Sequence, residues 1–130
     1  MGWGCDWLPF RRISQGSGDS ATIYTNTVAE GTTPHTIGWI HCINTNANPR
    51  FLKLYNKPSP DVGVDTPVFT FEIPGFSPGG TGFTIPMHPG SRIEIAGAAT
   101  GIGMGLTVNA ADNDTTGVAG GEIVVNIGYA

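Results

Sequence analysis

The feature that most constrains this chain is its punctuation. Glycine and proline, 20 and 10 of 130 residues, recur between short runs in which apolar and polar side chains alternate. Inside a helix a glycine costs about 1 kcal/mol and a proline about 3 kcal/mol, so breakers at this density leave no room for long helices. Set between β-branched runs, the same residues are turn signals. The runs fall at 20–28, 36–45, 50–57, 67–74, 83–87, 91–96, 101–109 and 122–130. They predict an all-β domain of about eight strands, an antiparallel β-sandwich of jelly-roll type. A chain of this length is one domain and hides roughly two-thirds of its unfolded surface.

Period-two alternation assigns faces within each run. TIGWIHCINT places Ile37, Trp39, His41 and Ile43 on one side and Ile40 and Cys42 on the other, which suits a central strand. In RFLKLYNK the alternation puts Leu52 and Leu54 inward and Phe51, Lys53, Tyr55 and Lys57 outward. PVFTFEIP buries Phe69, Phe71 and Ile73 on the same logic. GIGMGLTVN sets Ile102, Met104, Leu106 and Val108 against Gly103 and Gly105, so a whole face lacks side chains. Close approach of a second sheet or another chain is the reason to expect there. Residues 1–19 follow no period. They hold Trp3, Trp7, Phe10, Arg11 and Arg12 ahead of the run SQGSG, and read as an extended N-terminal arm before a sandwich domain at 20–130.

Charge narrows the function. Only 12% of residues are charged, against about 25% in a typical soluble domain. A surface of Thr, Asn, Ser and Gly suits a protein that lives in contact with other subunits. A net charge of −4 and a pI near 5.1 argue against nucleic acid, which needs a basic footprint. No apolar run reaches membrane-spanning length, and the start MGWGCDWLPFRRIS lacks the pattern of a secretory signal. It also lacks a myristoylation pattern, because Asp6 stands where Ser or Thr is required. Cys5 and Cys42 make no disulfide framework. Cys42 reads as a buried thiol, and a bridge between the two is left open.

Catalytic constellations are absent from the pattern. His35, His41 and His88 lie in different elements without metal-ligand spacing, and no G-x-S-x-G elbow occurs. The loop PGFSPGGTG carries no lysine and opens no helix, so it is not a phosphate cradle. Asp112, Asn113 and Asp114 resemble the start of a calcium loop, but Thr116 and Glu122 break the register. An Asx-turn explains them without metal. Lys53 and Lys57 flank Tyr55 near Arg50, an arrangement able to stack on sugars or bases. Asp61, Asp65 and Glu72 lie near the partner strand, and cross-strand charge pairs worth roughly 0.2–1 kcal/mol each are the plainer reading. We expect no enzyme activity and no cofactor.

Several segments carry a family likeness. RFLKLYNKPSPDVGVDTPVFTFEIP, TGFTIPMHPGSRIEIAGAATGIGM and NAADNDTTGVAGGEIVVNIGYA resemble small structural proteins of tailed bacteriophages. The shared features are the L-K-L-Y-N-K strand, the V-G-x-D-T-P loop, the A-D-N-D-T-T turn and the terminal V-V-N-x-x-Y, within residues 36–130. The resemblance implies a virion protein, made in the host cytoplasm, without catalytic residues. We expect a capsid decoration (cement) protein, a homotrimer that binds the major capsid protein at subunit junctions. Its interface candidates are Trp3, Trp7, Phe10, Arg11, Arg12, Lys53, Tyr55 and Lys57. The alternative is a tail or fibre-associated module that binds a host-surface glycan through Tyr55, Lys53 and the 74–82 loop.

Overall fold

The computed structural model describes residues 10–14, 24–30, 35–57, 59–75, 83–85, 93–95 and 101–129, with side-chain surroundings defined over 37–57, 59–75 and 102–128. Among the described residues there is no helix, and the strands are all antiparallel. In chain order they are β1 (Phe10–Ser14), β2 (Tyr24–Glu30), β3 (His35–Asn44), β4 (Arg50–Tyr55), β5 (Phe69–Ile73), β6 (Phe83–Ile85), β7 (Ile93–Ile95), β8 (Gly101–Thr107) and β9 (Ile123–Tyr129). One sheet runs β1-β9-β3-β6, with β7 also paired to β3; the other runs β2-β8-β4-β5. We call these the first and second sheets.

The sheets pack face to face through the residues that alternation predicts. Ile40, Cys42, Ile123, Val125 and Ile127 of the first sheet meet Leu52, Leu54, Ile73, Ile102, Met104 and Leu106 of the second, all fully buried. Each such aliphatic side chain contributes about 1.5–3 kcal/mol on burial. β3 is indeed interior, hydrogen-bonded to β9 on one side and to β6 and β7 on the other.

Ile37 departs from the simple alternation. The pairing steps from Ile37↔Tyr129 to Trp39↔Gly128, so Gly38 is an extra residue in the ladder. Such a bulge inverts the facing of what precedes it. Ile37 therefore joins Ile40 and Cys42 in the core, while Trp39 and His41 stay on the outer face. Phe69 departs too. It shares the row of Phe71 and Ile73, but at the end of edge strand β5 it is 46% exposed and stacks on Phe71 at 5.3 Å between ring centres.

Residues 10–14 correct the expected arm. Their backbone is an edge strand of this chain's own first sheet, paired along β9 from Phe10↔Gly128 to Ser14↔Val124. FRRIS has no alternation to announce it. The unpaired rim of β9 selects it as a partner, and a lone sequence cannot display that rim. Residues 1–9, with Trp3, Cys5 and Trp7, lie outside the described residues.

Polar ties stitch the two sheets at one end. Asn44, at the end of β3, donates through Nδ2 to the carbonyls of Asn48 and Pro74 at 3.0 and 3.1 Å. Arg50 on β4 forms a two-pronged pair with Glu122, Nε to Oε2 and Nη2 to Oε1, both at 3.0 Å. The pair is nearly buried, with side-chain exposures of 11% and 6%. In that setting a two-pronged pair fixes orientation as well as adding energy.

Candidate functional site

The residues singled out from sequence do not converge. Phe10, Arg11 and Arg12 sit on β1 in the first sheet; Lys53 and Tyr55 sit on β4, an interior strand of the second. Lys57 lies beyond β4 in the loop that follows, half exposed and paired with Asp65 at 2.8 Å. That hydrogen bond, together with one from the Asp61 backbone, holds the Asp65 carboxyl below its ordinary range. The expected charge pairing within the hairpin is thus real for Lys57. It does not extend to Lys53, which stands opposite Thr70.

Lys53 and Tyr55 were expected to face solvent, and here the structure overturns the reading. Lys53 is fully buried and Tyr55 is 1% exposed. The cause is a roof made of two loops from the same chain. Opposite Lys53 and Tyr55 on β8 stand Gly105 and Gly103. A Cβ at Gly103 would lie 2.3 Å from the Lys57 carbonyl oxygen and 2.4 Å from Pro60 Cδ; one at Gly105 would lie 2.7 Å from Val62 Cγ2. The PSPDVGVDTP loop therefore does not project. It folds down into the trough left by the two glycines, burying Pro60 and Val62. Neither a second sheet nor another chain is what approaches these glycines.

The second half of the roof is the turn at 108–117. It is pinned by Val108 N to Thr116 O at 2.9 Å and a bridge between Thr107 and Gly117. Lys53 reaches up from the sheet and donates from Nζ to the Ala111 carbonyl. The two loops meet above the sheet, where a Cβ at Gly63 would lie 2.4 Å from Thr115 Cγ2. Gly63 has φ of 92°, a conformation that disfavours any side chain.

Electrostatics under the roof follow from burial. Desolvation lowers the Lys53 ammonium from its ordinary 10.5, against the pull of Asp114 and Asp112. Desolvation, with Asp112 and Asp65 adding to it, pushes the Tyr55 phenol up to about 12. Its hydroxyl is buried with no hydrogen-bond partner among the described residues. A group held in that way is poorly placed for proton transfer near neutrality.

The ADNDTT turn has an internal explanation. For Asp114, desolvation works to raise the carboxyl, but hydrogen bonds outweigh it and hold the group below 3.8. The donors are Asn109 N and Thr116 Oγ1 at 2.9 Å, with Thr116 N and Asn109 Nδ2 at 3.3 Å. This is the Asx-type turn, with its carboxylate spent on the loop itself. Among the described residues no group of three His, Cys, Asp or Glu could hold a metal ion. Cys42 is a free thiol sealed in the core, and burial pushes it up to about 12.

The outer face of the first sheet carries residues that sequence reasoning left unassigned. Trp39 lies against Gly128, where a Cβ would fall 2.0 Å from Nε1 and 2.5 and 2.6 Å from Cε2 and Cδ1. Those near-equal flanking distances put Gly128 beneath the face of the indole; an approach at the ring edge would leave the two carbons distinctly farther. In the next row Asn126 Nδ2 and His41 Nδ1 are 3.2 Å apart. The signal available in sequence was Gly128 itself, a glycine inside the alternating run EIVVNIGYA.

Comparisons with family models, with curated proteins and with solved structures returned no match.

Proposed function

We propose that this chain is a structural virion protein of a tailed bacteriophage, a capsid decoration protein without catalytic activity. The observation that carries the reading is how the described residues spend their charge. Lys53, Arg50, Glu122, Lys57, Asp65 and Asp114 all hold loops or strands of the chain itself. The large apolar side chains left exposed among the described residues are Val64, Val68 and Phe69, by 76%, 47% and 46%, with Thr70 and Glu72 exposed beside them on β5. Such a body offers contact area rather than a reaction centre, in keeping with a chain of which only 12% of residues are charged.

The strand orders β1-β9-β3-β6 and β2-β8-β4-β5 support the finer fold reading. β6 and β7 lie end to end along β3, against residues 40–42 and 35–37. Taken as one interrupted strand, they leave eight strands in the order of a jelly roll. On this reading the protein is a homotrimer on the capsid surface that bridges junctions of the major capsid protein. Many weak contacts repeated over a shell resist internal pressure without any one being strong. Trp3 and Trp7 supply aromatic anchors of the kind enriched at binding hot spots.

Binding to empty capsids tests this. Deleting residues 1–9 leaves β1 intact and is expected to weaken binding, as is Val64→Ser with Phe69→Ser. In purified virions the copy number should be on the order of hundreds, as repeated weak contacts require. A handful of copies, or unchanged capsid binding in both variants, overturns the decoration role. The glycan-binding alternative through Tyr55 and Lys53 is weakened by their burial.

A further inference from the structure

We propose that β5 is a pairing edge for a second copy of this chain: two β5 strands join antiparallel about a two-fold axis at Phe71, and the second sheet runs on from one copy into the next. A bare edge strand offers a row of unpaired N–H and C=O groups to any other strand, so folded proteins blunt their edges with charge, bulges or very short strands. Among the described residues the two sheets have four edges, and three are blunted in these ways. β1 carries Arg11 and Arg12, β2 has a bulge between Thr27 and Ala29, and β6 and β7, which share one side of β3, are three residues each. β5 is the exception. Its five residues pair with β4 without a break, from Phe69↔Leu54 to Ile73↔Arg50, and with no other described strand. The run FTFEI holds no lysine, no proline and no bulge.

The edge is open as well as bare. Val68, Phe69, Thr70 and Glu72 are all exposed, Phe69 by 46%. Phe69 stacks on Phe71 in the row that ends at buried Ile73, and on β4 it stands opposite Leu54. On its other side no described strand continues that row. The inward face of the sheet is thus apolar up to its last strand and stops there.

The strand's own sequence decides what fits beside it. Side chains alternate in facing, so a partner strand must meet inward residues with inward residues. The register that does this over all five residues sets Phe71 opposite the second copy's Phe71, Phe69 opposite its Ile73, and Thr70 opposite its Glu72. Phe69 is then closed over by an aliphatic side chain, and each carboxylate meets a hydroxyl. Sliding the strands until Glu72 meets Glu72 would oppose like charges, which disfavours that register. Pro67 and Pro74 bound the strand and confine the pairing to it. Such a contact is isologous and closes after two copies. With five residues a side it is weak alone and gains weight where copies are crowded, as on a shell. It rests on the β5 edge and not on capsid binding; on a capsid it would join neighbouring decoration units across a two-fold axis.

The test is cross-linking by register, in the full chain carrying Cys5→Ser, with Cys42 sealed in the core. Directly opposed residues of an antiparallel pair lie about 4.5–5.5 Å apart, within disulfide reach, whereas diagonal neighbours at about 7–8 Å do not. Thr70→Cys and Glu72→Cys, both at exposed positions, are made as separate proteins. Mixed and mildly oxidised, they should form a disulfide-linked dimer on a denaturing gel about tenfold faster than either does alone. Thr70→Glu places two like-charged pairs across the axis, and should weaken self-association in sedimentation about tenfold with its melting temperature retained. The proposal is overturned if the mixture links no faster than the single variants. It is also overturned if Thr70→Cys links to itself as readily, which moves the axis off Phe71, or if Thr70→Glu associates as the parent does. Capsid binding enters none of these readouts, so failure here is separate from failure of the decoration role.

Discussion

The two outer faces of this sandwich meet the same problem and solve it differently. Each has glycine where a strand would carry a side chain. On the second sheet Gly103 and Gly105 open a trough that the chain's own loop fills with backbone and proline. On the first sheet Gly128 opens a shallower site that a single indole covers. The first arrangement seals Lys53 and Tyr55 away from water, while the second leaves Trp39 and His41 half-buried. A strand glycine therefore announces close approach without naming what approaches. Whether the neighbour is main chain or a side-chain tip decides if the face is closed.

That difference can be broken by adding the missing methyl groups. Gly103→Ala drives a Cβ into the Lys57 carbonyl and Pro60, neither of which can swing aside. It should cost about 2–3 kcal/mol in urea unfolding, the range for overpacking a well-filled site. Gly128→Ala first meets the Trp39 ring, a side chain that can shift where main chain cannot. It should cost about 1 kcal/mol less, the ring escaping strain that a fixed backbone cannot. Equal losses at the two positions would erase the distinction between the faces.

A smaller effect sharpens the sealed side. Because burial pushes the Tyr55 phenol from 10.0 up to about 12, the unfolded chain ionises first as pH rises. Its contribution to stability is complete below pH 10 and is lost on the way to pH 12. Tyr55→Phe should flatten that alkaline loss, leaving a residual slope from Cys42, whose thiol is shifted from 9.0 to about 12. Near neutrality the same variant removes a buried hydroxyl without a partner. It should be neutral or up to about 1 kcal/mol more stable. Unfolding midpoints of both proteins at neutral and alkaline pH check the prediction.

Much of the fold was legible because alternation reports which residues share a face. Leu52 with Leu54, the Ile102–Leu106 row and the Ile123–Ile127 row all fell in the core as read. Alternation does not report what lies above a face, and there the reading of Lys53 and Tyr55 failed. The missing clue was present but non-local: the bulky pair on β4 sits opposite the two glycines on β8, a match visible only once the strands are paired. Ile37 was misplaced because a one-residue bulge at Gly38 shifts the register. β1 went unseen because an edge strand can be recruited by pairing alone, without a pattern of its own. The contact between Trp39 and Gly128 shared that limit, since the two are neighbours across strands and distant in sequence.

The second sheet is roofed by its own loops, and the chain's two lysines fall on opposite sides of that roof: Lys53 is fully buried, whereas the Lys57 side chain is 50% exposed. Brief labelling of the native protein with an amine-reactive reagent, read by peptide mass spectrometry, separates them. We predict rapid modification of Lys57 and protection of Lys53 until the chain is unfolded. Equal labelling of both lysines in the native state would contradict the roof and return Lys53 to the surface.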